Sequence, residues 1–273
     1  MKILIATDME GITGVTTWDH VTPGHAEYAR FRRLMTQDIN AVIRGVMDAG
    51  ADEVIIADGH WNGSNILVEE LDSRARLNTG SPSPFSMMQG IDESVDGVMF
   101  VGYHARNGTP HAILDHTWSS KTVANVWLND ILTGEYGLNA AVAGQFGVPV
   151  IMVSGDQTAC AQVTELLGDI EMAVVKQATG RFAAECLTPQ TSQELICTTA
   201  MRAVERLVQG DTPDPFVIEI PVRVTVEFFT SDMADRATRI PFTERDGTRV
   251  SFAAQDMASA YSGFRAMVML AIG

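Results

Sequence analysis

The sequence predicts an α/β fold, in which a mainly parallel sheet is flanked by helices and followed by a smaller C-terminal α+β subdomain. Short and almost uninterrupted apolar runs at 2–7, 53–57 and 98–103 are typical of buried parallel strands. Between the first two runs, apolar side chains recur at helical spacing from about 27 to 49. Strand, helix and strand in this order imply right-handed crossovers and a largely parallel sheet.

The other elements of the first 180 residues follow from the same periodicities. The first helix is predicted to end at Gly50, which provides a stop signal. A segment rich in small residues predicts a second helix, which leads into a further strand and another helix. These elements are a helix at 134–146, a strand at 148–154 and a helix at about 157–167.

The pattern changes after Lys176. A helix at about 189–209 is predicted to end at a threonine and two prolines within 212–215. Residues 216–228 then alternate between apolar and polar side chains, as a half-exposed strand does. The apolar pattern of residues 253–272 predicts a closing helix.

Two domains are predicted from this change. Residues 1–180 would form an α/β catalytic domain that binds metal, and residues 181–273 would form the smaller α+β subdomain. We expect the second domain to pack on the first and to contribute to oligomerisation.

Composition and charge exclude several classes of function. Apolar residues make up 46% of the chain and charged residues 19%, as in a folded globule. The net charge of −15 repels nucleic acid and anionic membrane surfaces, so a small molecule or peptide is the favoured partner. The chain opens without the apolar segment of a signal peptide, and its three cysteines lack CxxC spacing. These observations predict a cytoplasmic protein.

Three of the predicted strands end in residues that bind metals. The first strand runs into Asp8 and Glu10, the second into His60 and the third into His104. The carboxyl ends of parallel strands meet at one edge of a sheet, so these side chains are expected to lie together. Asp8 and Glu10 are two residues apart and would repel each other unless a cation lies between them. Mixed carboxylate and imidazole ligands suit zinc, and manganese or iron less specifically.

Each of these residues also has a simpler interpretation. Aspartate and histidine commonly cap helices or hydrogen-bond within loops, and this alternative holds for any one of them taken alone. A loop from His104 to His116 contains three of the six histidines. His116 follows an aspartate and is a candidate general acid or base, or an exposed loop histidine. Glu135 begins a predicted helix, where an acidic residue complements the helix dipole.

Other catalytic motifs are absent. The glycines after the first strand do not form GxGxxG, and GxxxxGK[ST] does not occur, which argues against nucleotide binding. A GxSxG elbow is also missing, so a serine nucleophile is not indicated.

Several ordered motifs resemble those of the DppA-type D-aminopeptidases, zinc enzymes of bacteria. The motifs are ATDMEGITG, ADGHWNG, PSPFSMMQGID, VGYHARNGTP, TGEYGLNAAVAG and VPVIMVSGD. The segment IPFTERDGTRVSFAAQDMASAY resembles the tail of the same family, so the likeness covers nearly the whole chain.

The resemblance implies a centre of two zinc ions bridged by Asp8. It implies Glu10 and His60 as ligands on one side, and His104 and Glu135 as ligands on the other. The catalytic histidine of the family matches His116, with His111 as the alternative.

The resemblance also implies an α/β domain with a smaller domain. It further implies a homo-oligomer, a decamer built from rings, whose enclosed cavity admits only short peptides. A preference for D-residues comes from the resemblance alone. The strand-end residues and the resemblance together predict a metal-dependent aminopeptidase of short peptides. The alternatives are a metal hydrolase of another bond, such as a cyclic amide or a phosphoester, and a non-catalytic protein that binds peptide or metal.

Overall fold

The computed structural model describes all 273 residues, which form twelve strands and seven helices. The strands are β1 (Lys2–Thr7), β2 (Glu53–Asp58), β3 (Ala75–Asn78), β4 (Gly97–Tyr103), β5 (Val123–Leu128), β6 (Ile131–Thr133), β7 (Val150–Asp156), β8 (Glu171–Gly180), β9 (Ala183–Cys186), β10 (Val222–Phe228), β11 (Glu244–Asp246) and β12 (Arg249–Ala254). The helices are α1 (Trp18–Val21), α2 (Tyr28–Asp48), α3 (Glu135–Gln145), α4 (Gln157–Leu167), α5 (Pro189–Gln209), α6 (Ser231–Ala237) and α7 (Met257–Ile272). None of these helices is both long enough and apolar enough to span a bilayer.

Seven strands form the first sheet in the order β3-β2-β1-β4-β7-β8-β9. Every neighbouring pair is parallel except β8 and β9, which are antiparallel. The chain extends the sheet from β1 through β2 to β3, and then returns to the other side of β1 with β4. The strand order therefore reverses between β1 and β4, and such a switch point leaves a crevice at the carboxyl ends of the strands. The predicted α/β class with a mainly parallel sheet is confirmed.

The second sheet is antiparallel and has the order β11-β12-β10-β5-β6. Its strands come from both halves of the chain, because β5 and β6 precede β7 in sequence. Conversely, α5 follows β9 in sequence but packs against α2 on the first sheet. The division into 1–180 and 181–273 stays a prediction, and the two sheets divide the chain differently.

The first sheet separates two apolar cores. Ile3 and Ile5 of β1 face a core that α2 and α5 cover. Leu4 and Ala6 alternate with them and face a core shared with α3, α7 and the second sheet. Because both faces are covered, the parallel strands are apolar along almost their whole length, as their sequences indicate.

Two predicted elements begin later in the chain than the periodicity indicates. The strand predicted at 216–228 begins only at Val222, after Pro221, whose nitrogen has no hydrogen to donate to a strand ladder. The helix predicted from 253 begins at Met257, because the preceding residues pair with β10 as β12. The Asp256 side chain caps that helix by accepting from the backbone N–H of Ser259.

The ends of β1 and β4 approach each other closely at two glycines. The Gly11 N–H donates to the Gly102 carbonyl at 2.7 Å, and the Asp8 N–H donates to the Val101 carbonyl at 2.8 Å. A Cβ on Gly102, whose φ is +75°, would lie 2.2 Å from the Asp8 carbonyl oxygen. Glycine at 102 therefore allows the backbone that carries Asp8 to lie against β4.

Gly102→Ala is expected to lower the free energy of unfolding by about 3 kcal/mol or more, because it adds a backbone clash to an unfavourable φ. Urea denaturation measures the loss. Gly108→Ala is the matched control, since Gly108 has φ +79° but no atom within 4 Å of the added Cβ. Equal losses in the two variants would contradict the close-approach argument.

Candidate metal centre

The switch point between β1 and β4 brings the predicted site residues together. Asp8 and Glu10 follow β1, His60 follows β2 and His104 follows β4. Glu135 is the first residue of α3, and His116 lies in the loop between β4 and β5. All six side chains are buried, with at most 7% of each residue exposed.

One group of ligand atoms forms around His60. Its Nδ1 lies 3.2 Å from Asp8 Oδ1 and 3.2 Å from Glu10 Oε2. A second group forms around His104, whose Nε2 lies 3.3 Å from Asp8 Oδ2 and 3.2 Å from Glu135 Oε1. The two carboxylate oxygens of Asp8 thus face different groups, each of which holds one further carboxylate and one imidazole.

Backbone carbonyls orient all three imidazoles of the site. His60 Nε2 lies 2.8 Å from the Val21 carbonyl oxygen, and His104 Nδ1 lies 3.0 Å from that of Ala105. His116 Nδ1 lies 2.7 Å from the carbonyl oxygen of the residue two before it. A carbonyl oxygen only accepts, so these nitrogens carry the hydrogen and donate it. The other nitrogen of each ring is left for the cluster of carboxylates, as in histidines that bind metals.

The cluster is strongly negative before any cation is counted. Burial opposes the ionisation of Asp8, but the neighbouring imidazoles of His104 and His60 outweigh it and lower the pKa of Asp8. Burial likewise opposes the charge on Glu135, whose pKa the neighbouring His104 lowers. Burial also disfavours protonation of His60 and His104, but the carboxylates Glu10, Glu135 and Asp8 raise the pKa of these imidazoles well above the ordinary value. The carboxylates therefore favour positive charge between them, which protons or metal ions provide.

Two buried atoms of the cluster, Glu10 Oε2 and His104 Nε2, lie 3.2–3.3 Å from neighbouring ligand atoms but make no well-directed hydrogen bond. A buried polar atom without a partner is costly, and one explanation is an ion. Zinc bonds of about 2.0–2.2 Å place tetrahedral ligand atoms roughly 3.3 Å apart, close to the separations within each group. The residues present therefore fit a zinc site.

His116 lies beside this cluster. Its ring stacks on that of His104 with the centroids 3.9 Å apart, and Trp18 packs edge-on against it at 5.3 Å. Its Nε2 lies 3.8 Å from Glu135 Oε1 and 4.0 Å from Glu10 Oε1. Burial and the neighbouring His104 lower the pKa of His116, so its neutral form is favoured.

The alternative histidine lies elsewhere. His111 is exposed, and it is the His111 backbone carbonyl that accepts hydrogen bonds, from the side chains of Gln157 and Thr158. Its side chain does not line the cavity that opens onto the cluster. Between the two candidates, the geometry favours His116.

Two supporting contacts were not predicted from the sequence. Lys176 of β8 is buried, and its Nζ donates to the carbonyl oxygens of Glu10, Ile12 and Val15 at 2.7–2.9 Å. Burial lowers the pKa of Lys176 to about 8. The backbone N–H of Trp118 donates to Glu135 Oε1 at 2.6 Å. A lone lysine in a strand gives no sequence signal for such a role, because the contact depends on the packing of β8 behind the loop after β1.

A cavity of about 720 Å³ opens onto the cluster, a volume within the range of about 300–1,000 Å³ typical of small-molecule sites. Five of the six predicted site residues line it, and His104 lies behind them. The wall also carries three tryptophans and three residues of α7, which are Trp18, Trp61, Trp118, Arg265, Met269 and Ile272.

Comparisons with known proteins identify the family of this chain. A family model described as D-aminopeptidase matches residues 1–266. A D-aminopeptidase of Bacillus subtilis (strain 168) is 36% identical over 274 aligned positions, which cover 100% of this chain and 98% of that protein. The solved structure of the Zn-dependent D-aminopeptidase DppA from Bacillus subtilis, a self-compartmentalizing protease, matches with a TM-score of 0.96, 36% identity and the same coverage. The chain therefore belongs to the D-aminopeptidase family.

Proposed function

We propose that this protein is a zinc-dependent aminopeptidase that removes the N-terminal residue of short peptides, with a preference for D-residues. The proposed centre would hold two zinc ions per subunit, with Asp8 as a ligand shared between them. One observation carries the proposal: the two oxygens of Asp8 face two adjacent groups, each with one further carboxylate and one imidazole.

The remaining ligands divide between the two groups. Glu10 and His60 would hold one ion, and His104 and Glu135 would hold the other. Imidazole nitrogen and carboxylate oxygen are ordinary zinc ligands, and neutral imidazole is the form that binds. When bound, zinc would polarise the scissile carbonyl and lower the pKa of water near the site.

His116 is proposed as the catalytic histidine. The Leu114 carbonyl fixes its Nδ1 as a donor, so Nε2 is the atom that exchanges a proton. In the neutral ring Nε2 can accept a proton from the attacking water as its oxygen bonds to the carbonyl carbon, and it can then pass that proton to the leaving amine as the C–N bond breaks. While it is protonated, the ring would also stabilise the negative charge that develops on the carbonyl oxygen in the tetrahedral intermediate.

The relatives support the finer parts of the proposal. The matched Bacillus subtilis structure is a Zn-dependent D-aminopeptidase and a self-compartmentalizing protease. We propose that this chain is likewise a homo-oligomer, with a decamer as the expected size. Exposed apolar side chains on the surface, among them Phe242, Ile220 and Val217, would then be covered between subunits.

The cytoplasm is the proposed location of the protein. Its three cysteines are free, as is usual in that compartment.

Removal and return of the metal test the function. Protein stripped by a chelator is expected to lose hydrolysis of D-alanyl-D-alanine and D-alaninamide, and to regain it when about two zinc ions per subunit have been added. Metal content is measured alongside turnover, with manganese and cobalt as comparison metals and the L-enantiomers as comparison substrates.

The possible results separate the parts of the proposal. Activity that persists after complete chelation would contradict the metal-dependent mechanism. Faster turnover of L-peptides would contradict the preference for D-residues but would still agree with metal-dependent peptide hydrolysis. Stoichiometric zinc without turnover of any peptide or amide would favour a binding protein.

A further inference from the structure

The wall of the cavity carries opposite charges in different places. The negative charges are the carboxylates of Asp8, Glu10 and Glu135 at the metal centre. The positive charges are the side chains of Arg265 and Lys121, which also line the cavity. The chain as a whole has a net charge of −15, so an anionic ligand is repelled from most of its surface. An anionic group that binds in this cavity needs these local cations.

Helix α7 presents Arg265 to the cavity. Arg265, Met269 and Ile272 all line it, and their spacing of four and three residues places them on one face of the helix. The same wall therefore offers one guanidinium beside apolar side chains. This combination suits the end of a short peptide, which has both a charged terminus and an apolar side chain.

The hydrogen bonds of Arg265 use only one of its three nitrogens. Nη1 donates to the carbonyl oxygens of Ser83 and Pro84, at 2.9 and 2.7 Å. The guanidinium also lies over the ring of Tyr261, 5.7 Å from its centroid. A guanidinium has five N–H donors, so Nε and Nη2 keep three of them. The side chain is thus held in place while the edge that matches a carboxylate remains available.

We propose that Arg265, with Lys121 as a second cation, binds the C-terminal carboxylate of the substrate. This inference rests on the proposed aminopeptidase function, in which the N-terminal end of the peptide lies at the metal centre. A dipeptide or tripeptide without acidic side chains then has its only anionic group at the far end. The site would favour short peptides with a free carboxylate over the corresponding amides.

Arg265→Gln tests this subsite in the zinc-loaded full-length protein. The KM for D-alanyl-D-alanine is expected to rise at least tenfold, because the variant loses a paired, charged donor. The KM for D-alanyl-D-alaninamide, which has no carboxylate, is expected to change less than twofold. Arg265→Lys keeps the positive charge but loses the paired N–H donors of the guanidinium. Its KM for D-alanyl-D-alanine should rise by an intermediate amount, and its KM for the amide should not.

Arg236→Gln is the matched control. Arg236 also donates through its guanidinium to a backbone carbonyl of α7, that of Ala271, but it does not line the cavity. Its variant should leave the ratio of the two KM values unchanged. Lys121→Gln removes an exposed side chain, so it remains informative if the Arg265 variants fold poorly, and it should also raise the KM of the acid selectively.

Equal KM changes for acid and amide, in the Arg265 and Lys121 variants alike, would overturn the carboxylate subsite. That result differs from failure of the proposed function, in which the zinc-loaded wild-type protein would hydrolyse neither substrate.

Discussion

Asp8→Asn is expected to reduce kcat/KM for D-alanyl-D-alanine on the order of 10⁴-fold or more, as losses of residues that act as a unit do. The two Asp8 oxygens face both ligand groups, so this single change affects both. Asparagine keeps the shape but replaces one oxygen with a nitrogen that cannot ligate, and it removes the negative charge. Zinc content, measured on the purified variant, is expected to fall from the proposed two ions per subunit to one or none.

Asp38→Asn provides a control for neutralising a buried aspartate. Asp38 is buried on α2 and its Oδ2 accepts from the Thr13 N–H, but it lies outside the cluster. Burial raises the pKa of Asp38 to about 6, so replacing its carboxylate removes an unfavourable charge. This variant should keep both zinc ions. If Asp8→Asn retained full zinc and activity, the bridging role would be wrong.

His116→Ala is expected to reduce kcat by about 10²–10⁴-fold, the usual contribution of a positioned acid or base. Because His116 is assigned to proton transfer and not to ligation, the zinc content should stay at two ions and KM should change little. Turnover of D-alaninamide and metal analysis of the same preparation measure both quantities.

His111→Asn tests the other candidate histidine. Asparagine tolerates the positive φ of 52° at this position, and the backbone hydrogen bonds of residue 111 remain. Near wild-type turnover is expected.

A role of His116 as a metal ligand would have a different outcome. Loss of zinc from His116→Ala would make His116 a ligand, because its ligand atom lies within 4.8 Å of those of His104 and Glu135.

The grouping of four of these side chains could be predicted from the sequence, because strand ends are visible in apolar patterns. Asp8, Glu10, His60 and His104 follow three predicted strands, and the parallel sheet brings those ends together. Glu135 could not be predicted in this way, since an acidic residue in the first turn of a helix is common. Its assignment depended on the family resemblance.

Much of the second sheet could not be predicted. Strand β5 has the sequence VANVWL, whose apolar and polar residues do not alternate regularly, and β6 and β11 have three residues each. Such segments gain their conformation from pairing: β5 pairs with the distant strand β10, whereas β6 and β11 form hairpins with their neighbours β5 and β12. The role of Lys176 was hidden for the same reason, because its three acceptors are more than 160 residues away in sequence.

The carbonyls that orient the imidazoles have a consequence for mutational robustness. A peptide carbonyl persists whatever side chain the residue carries, so substitutions at Val21, Ala105 or Leu114 would leave the hydrogen-bonding atom in place. Many zinc enzymes instead orient a histidine with a carboxylate side chain, which one mutation can delete. Ring orientation here depends on the course of the backbone and not on the hydrogen-bonding chemistry of these three side chains, which are buried in the core. Adapting this centre to another metal would therefore require changes in the ligands or in the course of the backbone.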